Sequence, residues 1–85
     1  MYYVYALQSL KNKNWLYIGY SDDLKARIKK HMEGKVKSTK SYLPLKLVYY
    51  EAYLNKTDAA AREYKLKHSQ QQKEFLKARI KNSLK

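Results

Sequence analysis

The chain has 85 residues, nineteen Lys/Arg against seven Asp/Glu, a formal net charge of +12 and no cysteine. That length predicts one domain burying roughly 60 % of its unfolded surface, and the missing cysteines exclude a disulfide framework or a cysteine-zinc site, which suits a reducing cytoplasm. The apolar start, residues 1–7, runs straight into Gln8 and Lys11 with no basic leader, so neither a signal peptide nor a membrane span is expected.

Residues 2–8 and 15–20 are rich in aromatic and branched side chains and read as two strands. The polar segment 9–14 between them reads as a hairpin loop. If Gln8 pairs with Asn14, Tyr5 falls opposite Tyr17. Antiparallel neighbours bring side chains within ~5 Å on one face, so two phenols would reach one ligand. A phenol is a hydrogen-bonding group and a latent base, with a pKa of ~10 in water that falls beside cations.

Ser21, Asp22 and Asp23 supply a cap and first-turn acids for a helix over 22–33, ended by Gly34. At helical spacing Leu24, Ile28 and His31 share one arc with Arg27 at its edge, while Lys25, Lys29 and Lys30 lie outside it. Arg27 and His31, four residues apart, therefore flank a buried stripe. A histidine there is either a satisfied structural group or one of two donors that hold a phosphate with Arg27.

A basic, hydroxyl-rich loop over 35–41 follows, then Pro44 and a half-buried strand over 45–53. Lys35, Lys37, Ser38, Thr39 and Lys40 carry the donors from which phosphate contacts are built. Thr57 and Asp58 open a second helix to about residue 67, whose apolar arc is Ala59, Ala60 and Leu66 with Glu63 projecting into its middle. An unpaired inward carboxylate costs several kcal/mol, so it is either ion-paired or a ligand for Mg²⁺. Ser69 and Gln72 form a capping box for a last helix with a Leu76, Ile80, Leu84 stripe.

Residues 34–50 and 75–85 are rich in lysine and arginine, and the run from Gly34 to Tyr50 contains no acid at all, nor does the run from Phe75 to Lys85. Such imbalance costs a fold self-repulsion and points to a polyanion, with DNA favoured over RNA and no membrane partner, although lysines kept for solubility would give the same count. No helix shows the large aromatic-apolar face of a membrane-surface element.

Tyr17-Ile18-Gly19, the helix with Arg27, and Ala61-Arg62-Glu63 together resemble the GIY-YIG endonuclease superfamily, with Tyr3-Val4-Tyr5 as a degenerate first motif. The chain looks most like small free-standing, single-domain proteins related to the nuclease domain of the bacterial excision-repair endonuclease. The resemblance implies an α/β fold, a three-stranded antiparallel sheet flanked by helices in the order β-β-α-β-α-α. It implies a catalytic set of Tyr5, Tyr17, Arg27, His31 and Glu63, with Glu63 holding Mg²⁺ or Mn²⁺. The implied reaction is phosphodiester hydrolysis: Arg27 neutralises transition-state charge, a tyrosine orients or deprotonates water, and His31, near pKa ~6.5 if unperturbed, accepts the phenol proton.

Two positions depart from the family pattern. Tyr3 replaces the first motif's glycine, and Asn82 lies farther from Glu63 than the family's late asparagine. The competing reading is a non-catalytic nucleic-acid-binding module on the same fold. A third, a basic protein-interaction domain, leaves Glu63 unexplained. Convergence of Tyr5, Tyr17, Arg27 and Glu63 on one cleft separates the first two.

Overall fold

The structure, a computed structural model, describes residues 1–85. Strands β1 (Tyr2–Ser9) and β2 (Leu16–Ser21) form a hairpin, followed by helix α1 (Leu24–Met32) and a single helical turn α2 (Lys37–Lys40). Strand β3 (Leu45–Tyr53) then precedes helices α3 (Lys56–His68) and α4 (Gln70–Arg79). The sheet order is β2-β1-β3, antiparallel throughout. This is the expected three-stranded α/β architecture, with α2 an added turn inside the basic loop.

Central β1 is buried from Val4 to Ser9 because helices cover both sheet faces. Its even residues Val4 and Ala6 join Ile18, Ala59, Leu66, Leu76 and Ile80 in a core beneath α3 and α4. Its odd residues Tyr5 and Leu7 join Leu45, with Leu24 and Ile28 of α1 packed against them. The period-two alternation of strand side chains is what sorts them. No helix is long and apolar enough to cross a membrane.

The hairpin register differs from the expected one. Tyr5 pairs with Gly19, Leu7 with Tyr17 and Gln8 with Leu16. Ser9 sets this register: its Oγ accepts from the backbone N–H groups of Lys11 and Asn12 and donates to the Tyr42 carbonyl at 2.7 Å. Gln8 Nε2 adds bonds to the Lys13 and Leu84 carbonyls. A slip by an even number of residues keeps side chains on their face, so Tyr5 and Tyr17 remain on one side as diagonal neighbours.

Helix α1 starts later than expected, at Leu24, with Asp23 as its cap accepting from the Ala26 N–H. Gly34, at φ 73°, takes the left-handed conformation that ends it. Helix α3 is capped by Asn55, and of its expected apolar arc Ala59 and Leu66 are buried whereas Ala60 is exposed. Ser69 caps α4 by accepting from the Gln72 N–H, but the Gln72 side chain accepts from Arg62 and does not complete a reciprocal box. Arg62 also grips both Glu51 oxygens, and Tyr49 and Tyr53 donate to the same carboxylate, tying β3 to α3. Burial alone would raise the Glu51 carboxyl, yet these donors hold it below its ordinary value.

Candidate active site

Tyr5 lies in the middle of β1 with its ring folded across Gly19 of β2. A Cβ at residue 19 would overlap the Tyr5 ring and hydroxyl, so the glycine is a packing requirement. The Tyr17 ring sits 6.4 Å from that of Tyr5, centroid to centroid. Across from them α1 presents Arg27 and His31, one helical turn apart.

His31 is fully buried. Its Nε2 lies 2.7 Å from the Tyr5 hydroxyl and its Nδ1 2.8 Å from Thr39 Oγ1. The Tyr17 ring is 5.3 Å away. Arg27 lies beside both phenols, and the Tyr5 hydroxyl is the main cause that raises the guanidinium's pKa further. Its Nε is buried without a hydrogen-bond partner, so any ligand would be met by the rest of the half-buried guanidinium.

From α3, Glu63 faces Tyr5 closely enough for its charge to disfavour the phenolate. Its side chain is 26 % exposed, at the margin of the core and not in the middle of it, and pairs at 3.5 Å with Lys67. Lys67 Nζ in turn stands 5.5 Å from the Tyr17 ring centroid. No three His, Cys, Asp or Glu side chains gather as a metal cage. A single carboxylate opposite two phenols and an arginine matches the sparse protein ligation that Mg²⁺ and Mn²⁺ accept, the remaining positions falling to water and phosphate oxygens.

The protonation states follow from burial. Desolvation, with Arg27 adding to it, pulls the His31 imidazole from its ordinary 6.5 to about 4. Burial pushes the Tyr5 phenol up, with Arg27 opposing in part. Both groups are neutral at pH 7, and the phenol is far too weak an acid for this imidazole. The expectation that His31, titrating near neutrality, takes the phenol proton is therefore corrected: it is a neutral hydrogen-bond partner of the phenol.

Lys35, Lys37, Ser38 and Lys40 lie on or beside the α2 turn, and Lys37, Ser38 and Lys40 are among its exposed residues. Thr39 departs from the expected phosphate set, being fully buried with its hydroxyl on His31. Asn82 is exposed in the closing turn. Sequence reasoning misses Lys67, for which the four-residue spacing from Glu63 is the available signal. It also misses the steric role of Gly19 and the Thr39–His31 bond, for which no local pattern exists.

Residues 1–76 match the GIY-YIG catalytic domain. The chain belongs to the GIY-YIG family. Two relatives are UPF0213 proteins. One, from Staphylococcus epidermidis, is 47 % identical over 64 residues, 73 % of this chain and 78 % of that protein. Another, from Staphylococcus aureus, is 45 % identical over 61 residues, 71 % of this chain and 74 % of that one. The solution NMR structure of a UPF0213 protein from Bacillus halodurans is similar at TM-score 0.58 and 40 % identity, covering 92 % of this chain and 84 % of that one. Membership of the GIY-YIG family places this domain among nucleases and points to nucleic acid as its partner.

Proposed function

We propose that this GIY-YIG domain is a divalent-metal-dependent endonuclease that hydrolyses nucleic-acid phosphodiesters, DNA ahead of RNA. The observation that carries this reading is the gathering of Tyr17, Arg27, His31 and Glu63 around Tyr5 in a chain of net charge +12. Glu63 would hold Mg²⁺ or Mn²⁺, which when bound supplies Lewis-acid polarisation of a phosphoryl oxygen. Arg27, half-buried beside both phenols, would meet the charge that develops on the phosphoryl oxygens. Tyr17 is half-buried where Tyr5 is sealed, so Tyr17 is the phenol that orients the attacking water. Tyr5 and His31 hold Arg27 and Tyr17 in place.

A binding module without catalysis is the second reading, favoured by one observation: Glu63 already has Lys67 as a partner. Labelled DNA and RNA duplexes, flaps and single strands incubated with Mg²⁺, Mn²⁺ or EDTA decide between them. The wild type should cut in metal and not in EDTA. Arg27→Ala should lose about 10²–10³-fold in rate, and Glu63→Gln should abolish metal-dependent cutting. Both should stay folded: the i,i+4 pair that Glu63→Gln removes contributes only about 0.3–0.5 kcal/mol, and Arg27 makes no ion pair to lose. Mg²⁺ should raise the Tm of the wild type and leave that of Glu63→Gln unchanged. Absence of cleavage from every substrate, with nucleic-acid binding intact and no Mg²⁺ effect on Tm, would leave the binding module.

A further inference from the structure

We propose that Thr39 is a positioning residue that fixes the His31 tautomer and, through it, the direction of the Tyr5 hydroxyl. The Tyr5 hydroxyl, the His31 ring and the Thr39 hydroxyl form one chain with links of 2.7 and 2.8 Å, all three residues at most 1 % exposed. The chain ends at the Val36 carbonyl, 3.5 Å from Thr39 Oγ1. A carbonyl only accepts, so it gives the chain a direction.

Two polarities satisfy the imidazole. In the first, Thr39 donates to the Val36 carbonyl and accepts from Nδ1–H, leaving Nε2 bare to accept the Tyr5 O–H. In the second, Thr39 donates to Nδ1 and Nε2–H donates to Tyr5. The Tyr5 proton then needs another acceptor, yet His31 is the only hydrogen-bond partner of the hydroxyl: Tyr17 and Glu63 act on it through charge alone, and the Arg27 guanidinium beside it has donors only. A buried hydroxyl proton without an acceptor is penalised, so the first polarity holds. It turns the Tyr5 O–H toward His31 and offers the oxygen's free lone pair to Arg27, steadying the guanidinium next to Tyr17. Thr39 thus acts on Arg27 through two intervening side chains, a role no spacing in the sequence reveals. The catalytic consequence rests on the nuclease reading; the tautomer does not.

The test is long-range ¹H–¹⁵N correlation of the His31 imidazole at neutral pH in the wild type, Thr39→Val and Thr39→Ser. Valine keeps the shape and removes the hydroxyl, whereas serine keeps the hydroxyl. The wild type and Thr39→Ser should show protonated Nδ1 and bare Nε2. Thr39→Val should shift toward the Nε2–H form. If the nuclease reading holds, Thr39→Val should also lose about 10–100-fold in kcat, as supporting-shell changes do, with KM little changed and serine restoring the rate. A wild-type spectrum with Nε2–H overturns the proposal, and so does a Thr39→Val spectrum identical to the wild type. If Thr39→Val fails to fold, the wild-type and serine spectra decide alone. A tautomer result as expected in a protein that cuts nothing removes the nuclease reading and leaves the role of Thr39 standing.

Discussion

At Gly19 the missing side chain lets the Tyr5 ring lie across β2 and reach His31. The neighbouring Ile18 turns to the opposite face and joins the core under α3. The Tyr-Ile-Gly triplet therefore does three different jobs in three consecutive residues: a half-buried phenol at the site, an aliphatic anchor below, and a gap for a second phenol. Gly19→Ala should force the Tyr5 ring out of place, because the obstruction comes from ring atoms anchored in the core and not from a flexible tip. Overpacking of this kind costs about 1–3 kcal/mol. Urea denaturation of Gly19→Ala should show that loss, and a His31 ring environment changed by NMR should accompany it. An alanine variant as stable as the wild type with an undisturbed His31 would remove the steric account of this glycine.

Helix α1 shows what an element's two faces can each be for. Lys25, Lys29 and Lys30 stand in solvent, while His31 is sealed and Arg27 half-buried against the phenols. Burying an imidazole has a consequence for acid stability. The folded His31 pKa of about 4 lies below its ordinary 6.5, so between those values the unfolded chain binds a proton that the native chain does not. Stability is then complete above pH 6.5 and falls as the pH drops, by roughly 3 kcal/mol at pH 4. Glu51, held below its ordinary 4.5, adds a further loss only beneath that value. The window from 6.5 to 4.5 therefore isolates His31. Denaturant midpoints measured across it should decline in the wild type, and a flat profile would mean that His31 titrates normally in the fold. At this scale the sequence is informative where periodicity governs. Strand alternation and the Leu24-Ile28-His31 arc follow from spacing; of the expected Leu76-Ile80-Leu84 stripe all three reach the core, but α4 ends at Arg79, so Ile80 caps it and Leu84 packs from the closing turn. What spacing does not carry is long-range. The register depends on Ser9 reaching Tyr42, and the burial of Thr39 on His31 eight residues upstream. Spacing misplaces Ala60 because α3 packs through a narrower arc than its alanines suggest. It turns Glu63 inward on the same ground, when Lys67 holds that carboxylate at the rim.

Across the whole molecule the cations are unevenly employed. Lys35, Lys37 and Lys40 on and beside the α2 turn belong to the segment that also supplies Thr39 to the site, and the exposed lysines of α1 lie on the helix that carries Arg27 and His31. Lys81 and Lys85 belong to the closing turn and tail, next to the end of the hairpin that Gln8 ties to Leu84. If nucleic acid crosses the site, the α2 lysines should be among those that neutralise phosphates. Each neutralised phosphate on duplex contributes a slope of about −0.9 in log affinity against log salt. Four such contacts would cost roughly a hundredfold in affinity between ~50 and ~200 mM salt. Replacing Lys35, Lys37 and Lys40 together with alanine should flatten the slope by about 2.7, whereas replacing Lys81 and Lys85 should change it much less. The comparison is made on duplex affinity in EDTA, so that cleavage does not interfere, over a salt series for the three proteins. Equal flattening by both sets of substitutions would mean a diffuse cationic attraction with no preferred face. A slope unmoved by the α2 substitutions would take the nucleic-acid path away from that turn, whatever the chemistry at Tyr17 and Arg27.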